Sequence, residues 1–469
     1  MPLELHPSAS LIMPKEIKQD GDIRFEGFAS YPNSCTFSGD SGMLEYAENV
    51  EMLGGKVFPR MGYTLAGTAT APVTYACAAQ SSTGDSILLW GTNQRFNCQS
   101  GAFTSVNLAS KQKARGQGYQ DALTMETADT DFVAGANIVE RLVTAKGDKL
   151  KFTLYTGVAP YEPDSAYLVQ QTYDEIQAII PEVNSMTVLG KRSIYEVQAG
   201  LGRQANIDKK PEQAVFHKIQ RLSKNDGVVG KDAWANFAGN ISFLDVDGIK
   251  VFSEGKFGEG ISPISDAIYD IIKLIDPAKL VDVCAVGLKN KAYYALPLLA
   301  PYNKTVVLTM NADIKGIFES IDIYPDSIDL LCVAKKDGIP RVWGINKQYG
   351  RIYLMENQNT DNGTAVQSRI RSRNYLFATH GEKRYENCYA YMETNGTAEV
   401  EFNFISTNPD GVWLLDKFNG NLGTAVRRAL ANKKSMIGKL EIVVKSGRPH
   451  IMSIGVEASL IGRSIFSSF

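Results

Sequence analysis

Gly39-Asp40-Ser41-Gly42 has the small-residue frame that surrounds the nucleophile of trypsin-like hydrolases. That chemistry needs a histidine to take the serine proton and a second aspartate to orient the histidine. Only His6 precedes the serine, in a proline-spaced stretch, and Met43 follows the motif. The four residues read as a turn. Gly200-Leu201-Gly202-Arg203-Gln204-Ala205 follows a strand-like run and fits the glycine pattern of a dinucleotide site. Such a site must open a helix within a parallel βαβ unit, so that the pyrophosphate meets the helix N-terminus. Here Asn206 to Pro211 comes next, which gives a connecting loop and no cofactor.

Asp245 and Asp247 stand two apart, a spacing that could begin a Ca²⁺ site with oxygens from other loops. The strand around them supplies no further ligand, so a turn with a surface aspartate is expected and no metal. Cys35, Cys77, Cys98, Cys284, Cys332 and Cys388 are scattered without a C-x-x-C pair and read as buried thiols. His6, His217, His380 and His450 do not cluster, and zinc has no ligand set. With 51 acids, a carboxylate pair for glycoside hydrolysis is always available in principle, but nothing singles one out. No catalytic residue is assigned.

One polar pattern stands out. In Ser368-Arg369-Ile370-Arg371-Ser372-Arg373, a strand would put Arg369, Arg371 and Arg373 on one face, about 7 Å apart. Such a row suits a phosphate-facing wall or a salt-bridged subunit contact, and equally a solvated strand face. Arg427, Arg428, Lys433 and Lys434 form a second basic cluster, on a short helix or loop expected over Thr424–Lys434. Both are channel or interface candidates. A local field suffices for that role, even though the net charge of −2 argues against the chain as a whole binding nucleic acid or membrane.

The elements that must position these residues are mostly short strands. Asp247-Gly248 marks a turn between runs around Ile241–Asp245 and Ile249–Ser253. Gly54-Gly55, Lys146-Gly147-Asp148, Gly190-Lys191-Arg192 and Asp337-Gly338 mark others, and Asn395-Gly396 and Ser446-Gly447-Arg448 are expected to close hairpins near the C-terminus. Ser262 and Pro263 suit the N-cap and first position of a helix, whose apolar face would carry Ile264, Ile268, Ile271, Ile272 and Ile275 before Pro277 stops it. A second helix is expected near Tyr167–Ile180.

A chain of 469 residues with 44% hydrophobic and 21% charged residues is long enough for two domains or one large repeat fold. No apolar run approaches the roughly 20 residues of a membrane span, and no signal-peptide pattern is visible, so synthesis in a cytosol is expected. The fold class is mainly β: a β-propeller of short hairpin blades with inserted helices, plus a C-terminal antiparallel sheet or sandwich. Residues 1–45 would be an extended arm crossing the surface or reaching a neighbour, 46–384 the propeller, and 385–469 the antiparallel platform.

The stretch FAGNISFLDVDGIKVFSEGK, then GISPISDAIYDII, then a strand pair ending YYALP, resembles the packaged-DNA stabilisation, head-closure and nozzle propellers of short-tailed bacteriophages. ENVEMLGGKVFPRMGYTLAG and GKLEIVVKSGRPHIMSIGVEASLIG are similar to that family's N-terminal pattern and closing sheet. The resemblance covers about a third of the chain and contains no catalytic motif. It implies a non-enzymatic virion protein of the tail or neck, assembled in the host bacterial cytoplasm. Copies would form a ring, commonly sixfold, below the portal–adaptor complex. The ring would extend the DNA channel, retain packaged double-stranded DNA without sequence specificity, and meet other tail proteins, fibres or spikes. The proline-rich first 45 residues and the helix near residue 170 depart from the family pattern. A receptor-binding or fibre-adaptor propeller, and a carbohydrate-active propeller enzyme, are the competing classes.

Overall fold

Backbone conformation at the turn residues sets most of the hairpins. Asp337 and Gly338 both take positive φ, 52° and 74°. They form the two-residue turn between antiparallel strands Leu330–Lys336 and Ile339–Asn346. The strands Asn240–Asp245 and Gly248–Ser253 pair as expected, but the turn is Val246-Asp247, one residue earlier than the expected Asp247-Gly248, because Gly248 already pairs with Asp245. The computed structural model describes residues 18–20, 25–29, 43–79, 84–106, 111–114, 123–126, 134–138, 141–152, 168–181, 185–198, 218–253, 260–375, 382–407, 410–421 and 423–461. Gly39–Gly42, Gly200–Ala205 and Cys35 lie outside the described residues.

The chain is mainly β and divides into many small sheets. Four antiparallel meanders of four strands each run through residues 75–105, 134–171, 176–223 and 234–263. A fifth four-stranded sheet joins Leu330–Lys336, Ile339–Asn346 and Arg351–Gln358 to the much earlier strand Gly62–Thr68. A further meander of four strands, Cys284–Leu288 through Phe318–Asp322, begins a nine-stranded sheet. First strands of several of these units pack together: Trp234–Phe237 on Cys284–Leu288, that strand on Leu330–Lys336, and that in turn on Tyr75–Ala79. Ala134–Ile138 packs likewise on Ile176–Pro181. Apolar residues of the sheets at 75–105, 284–322 and 330–358, among them Ile87, Leu89, Val307, Trp343 and Ile345, fill a core between them.

Both expected helices are corrected. Leu168–Gln171 and Ile176–Pro181 are strands of adjacent sheets, separated by Tyr173 at φ 61°. A register shift lies between Ile176 and Ala178, and Ile176, Ala178, Ile179 and Ile180 are all buried. Ser262 and Pro263 do not start a helix either. They end the strand Gly260–Pro263, opposite Val251 and Lys250. Only a 3₁₀ turn, Ser265–Ile268, and one α turn, Tyr269–Ile272, follow, and they bury Ile268, Ile271 and Ile272.

Three two-stranded sheets stand apart, Gly27–Phe28 with Met43–Leu44, Lys111–Ala114 with Leu123–Glu126, and Thr360–Asp361 with Thr364–Ala365, and the other strands build a two-sheet sandwich. We label them β1 (Lys18–Asp20), β2 (Tyr46–Glu48), β3 (Val50–Leu53), β4 (Lys56–Pro59), β5 (Gly62–Thr68, the strand already placed in the fifth sheet), β6 (Ser368–Arg371), β7 (Lys383–Thr394), β8 (Ala398–Thr407), β9 (Asp410–Gly420), β10 (Gly423–Ser435), β11 (Gly438–Ser446) and β12 (His450–Leu460). One sheet runs β10-β7-β12-β4-β3, with β1 also paired to β12. The other runs β2-β6-β11-β8-β9 and continues through a parallel bridge, Ile321 to Glu48, into the Cys284–Asp322 meander. Tyr385, Cys388, Phe402, Phe404, Ile442 and Val456 pack between the two layers.

This weave differs from the expectation in several places. Asn395-Gly396 and Ser446–Arg448 do not close hairpins: each carries the chain from one sheet of the sandwich to the other, because both edges of β7 and β8 are already paired. Thr424–Lys434 belongs to strand β10, not to a helix or loop. Residues 46–59 and 368–371, placed by sequence in the propeller segment, are hydrogen-bonded into the sandwich sheets. Within the expected surface arm, β1 extends a sheet, and Phe25 and Phe28 are buried in the sandwich core.

Candidate functional site

The short β2–β3–β4 segment lies between the sandwich and the meanders, and polar side chains gather along it. Asn49, at φ 54°, turns the chain from β2 into β3. Asparagine tolerates this left-handed conformation better than most residues. Its amide nitrogen donates to the Gln367 carbonyl at 2.8 Å, and its Oδ1 accepts the Ile323 N–H at 2.7 Å and Arg60 Nε at 3.2 Å. One side chain thus ties three distant segments.

Arg60 follows Pro59 at the end of β4, and its guanidinium is buried. Nη1 and Nη2 each donate to one oxygen of Asp361 at 2.9 Å, a bidentate fork. The same groups reach the carbonyls of Met61 at 3.0 Å and Ile323 at 3.3 Å, and the plane lies 3.9 Å over the Tyr324 ring. Asp322, 3.7 Å from Nε, also accepts the hydroxyls of Thr309 at 2.6 Å and Ser320 at 2.7 Å. Burial works to lower the Arg60 pKa, but Tyr324, Asp361 and Asp322 outweigh it and hold the guanidinium charged. Asp322 is pushed above the usual carboxylate range by burial, against the pull of Arg60 and the two hydroxyls.

A second knot adjoins the first. Glu319 accepts the Met52 N–H at 2.8 Å and Asn311 Nδ2 at 3.1 Å, and it lies 3.0 Å from Lys291 Nζ. Lys291 reaches Glu51 at 3.4 Å, and Arg448 of the sandwich donates to the other Glu51 oxygen at 2.7 Å. Arg448 also donates to the Pro59 carbonyl at 2.8 Å and covers the Phe58 ring. Burial raises the Glu319 carboxyl above its ordinary value, with Lys291 and the two N–H donors opposing. Glu319, Asp322 and Asp361 are buried and already engaged by hydrogen bonds or ion pairs, an arrangement suited to holding the chain rather than to acid–base work. The seam can hold two parts of the chain together; it offers no reacting group.

Of the arginine row, Arg369 and Arg371 lie on one face of β6 and Arg373 lies beyond its end. Arg371 Nη2 donates to Glu441 at 2.8 Å, and Arg369 Nε stands 3.9 Å from the same carboxylate, 44% of its side chain exposed. Glu441 on the neighbouring β11 therefore takes up charge that the sequence left to a phosphate, a subunit contact or solvent. Arg427 and Arg428 stand on β10 opposite Ala390 and Tyr389, and their side chains lie outside the described residues. Lys433 Nζ is 4.9 Å over the Trp413 ring, and Lys434 is exposed.

Asp245 is buried and holds Lys250 at 2.6 Å, with Asp226 on the same ammonium at 2.7 Å, while Asp247 is exposed. Asp245 is thus a lysine partner. Among the described residues no group of three or more His, Cys, Asp or Glu side chains is placed to hold a metal ion. Cys77, Cys98, Cys284, Cys332 and Cys388 are buried free thiols, as expected.

No family model and no curated protein matches the chain. Solved structures give distant likenesses. PorZ of the Porphyromonas gingivalis type-IX secretion system matches at 11% identity and TM-score 0.34, over 70% of this chain and 50% of that one. The N-terminal domain of Nup159 matches at 8% identity and TM-score 0.28, over 66% and 98%. An exo-β-1,3-galactanase of Phanerochaete chrysosporium matches at 8% identity and TM-score 0.24, over 74% and 100%. At these scores the likenesses carry no argument about function.

Asn49, Arg60, Asp361, Glu319 and Lys291 were not legible as a site. Arg60 and Asp361 are 301 residues apart, and no local spacing links them. The only local signal was the Pro59-Arg60 step after the glycine turn.

Proposed function

We propose that this chain is a structural subunit of a bacteriophage neck or tail, with no catalytic duty. Copies form a ring below the portal–adaptor complex that extends the DNA channel and retains the packaged genome. The observation that carries the reading is the weave around Arg60. β3 and β4 enter the C-terminal sandwich, β5 enters the sheet of residues 330–358, and the Arg60–Asp361 fork sits between them. Force on either part is passed to the other through paired strands and buried ion pairs, which suits a component that holds pressurised DNA.

The finer architecture belongs to the same proposal. Six four-stranded sheets, four of them with first strands packed in series and two packed as a pair, are read as the blades of a propeller, and β5 supplies the outer strand of the last blade. Tyr75 begins the first strand of one meander and Asp232 directly precedes that of another; their side chains are hydrogen-bonded at 3.1 Å, with Lys231 Nζ 4.2 Å over the Tyr75 ring. With those strands meeting, the propeller axis is too narrow for a duplex. In this reading the DNA channel is bounded by several copies. Arg369, which is exposed, and the Lys433–Lys434 end of β10 are its candidate lining or subunit contacts.

The test is incorporation. Phage particles assembled with the chain should contain it and keep their DNA, and particles lacking it should lose DNA after packaging. Particles that retain DNA without it would overturn the proposal.

A further inference from the structure

Three Asn-Gly pairs occur in the sequence, at 362–363, 395–396 and 419–420. An asparagine before glycine can cyclise, because the following backbone nitrogen reaches the side-chain carbonyl carbon and no Cβ crowds the ring. A folded chain permits the reaction only where that N–H is released from hydrogen bonds and the backbone is free to rotate.

The fold treats the three pairs differently. Asn362 takes φ 48°, and its N–H donates to the Tyr63 carbonyl at 2.8 Å. Its Oδ1 accepts the Leu65 N–H at 3.4 Å, and the attacking group, the Gly363 N–H, donates to Thr360 Oγ1 at 3.2 Å. Asn419 and Gly420 lie within β9, opposite Glu399 and Ala398 of β8, so strand pairing fixes their backbone. Asn395 and Gly396 are both exposed and lie between β7 and β8, outside either strand. Among the described residues, neither the Asn395 side chain nor the Gly396 N–H has a hydrogen-bond partner. Gly396 takes φ 119°, and a Cβ placed there would meet nothing within 4 Å, so a five-membered ring has room.

We propose that Asn395 is a self-modification site of this chain, where Gly396 closes on the side chain and water reopens the ring to leave aspartate or isoaspartate. The bond between Gly396 N and Asn395 Cγ forms, the Cγ–Nδ2 bond breaks, and Nδ2 leaves as ammonia. The Gly396 proton is lost to base, and the departing nitrogen takes one up. Water then adds to one of the two ring carbonyls. Opening at Cγ gives aspartate with the original backbone. Opening at the main-chain carbonyl gives isoaspartate, whose backbone runs through the side chain and gains one methylene. Each conversion adds one negative charge to a formal net charge of −2. Thr394 is paired opposite Gly423 and Ala398 opposite Gly420, so only residues 395–397 carry the chain between the sheets of the sandwich. Isoaspartate lengthens a crossover whose two ends are fixed. This modification is independent of the virion reading.

Peptide mapping of the full chain, stored in mildly alkaline buffer either folded or in urea, tests this. In the folded chain Asn395 should convert at least about tenfold faster than Asn362 and Asn419, giving chromatographically separable aspartate and isoaspartate peptides. In urea the three pairs should convert at similar rates, since the same dipeptide is then free in each. Equal rates in the folded chain, or the same ranking in urea, would overturn the proposal. Asn395→Gln, at an exposed position, should suppress the acidic species that accumulates on isoelectric focusing of wild type, because the longer side chain must close a six-membered ring. An undiminished acidic species would place the reaction elsewhere and sink the assignment.

Discussion

Arg60 grips Asp361 through two hydrogen bonds of 2.9 Å, across 301 residues of sequence and with both side chains 5% exposed. Removing one partner strands the other charge in a site with little water. Arg60→Ala should lower unfolding free energy by about 3–5 kcal/mol, and Asp361→Ala by a similar amount. The double variant Arg60→Met/Asp361→Leu should cost clearly less than the two single losses added together. Urea unfolding at neutral pH reads all three, and additive losses would contradict the pairing.

Glu319 gives a pH signature. Its folded pKa lies above the ordinary carboxylate value because of burial, with Lys291 opposing. The folded state therefore holds this proton more tightly than the unfolded state does. Its contribution is fully present below the unfolded pKa, near 4.3, and is lost as pH rises through the raised folded value. In Glu319→Gln the titration is absent. The stability of wild type minus that of Glu319→Gln should therefore increase as pH falls from 7 toward 4. A flat or opposite trend in thermal unfolding of the two proteins would contradict the direction.

The arginine row separates into two behaviours. Glu441 is 9% exposed and depends on Arg371, so Arg371→Ala should cost about 1–2 kcal/mol. Arg369, 3.9 Å away and well exposed, should cost less than about 0.5 kcal/mol on replacement by Ala. That makes Arg369→Ala the clean probe of the channel or interface role. Particles carrying it should assemble less well or lose DNA, and unchanged particles would reduce the row to a solvated strand face.

What could be read in advance was local. Asp337-Gly338 and Gly54-Gly55 closed hairpins because two consecutive left-handed residues suit a two-residue turn. Asn395-Gly396 carries the same signal, with Gly396 at φ 119°, yet joins different sheets, since a turn signal does not say which edges are already occupied. The helix expected near Tyr167–Ile180 is two strands with a bulge at Ile176, and Ser262-Pro263 imitated a cap while pairing with Val251 and Lys250. Cys284 and Cys332 were legible as core thiols because they stood in apolar runs. The seam was not legible: Arg60, Asp361, Glu319 and Lys291 come together only through β3, β4 and the pairing of distant strands. Glu441 was missed beside Arg371 for the same reason.

The most direct test of the central claim is imaging of the purified chain with and without a portal–adaptor complex, by negative stain and size-exclusion chromatography. The account predicts a closed ring of copies on the complex, with a central opening wide enough for a duplex. A chain that stays monomeric with the complex and instead binds or cleaves glycans would contradict it.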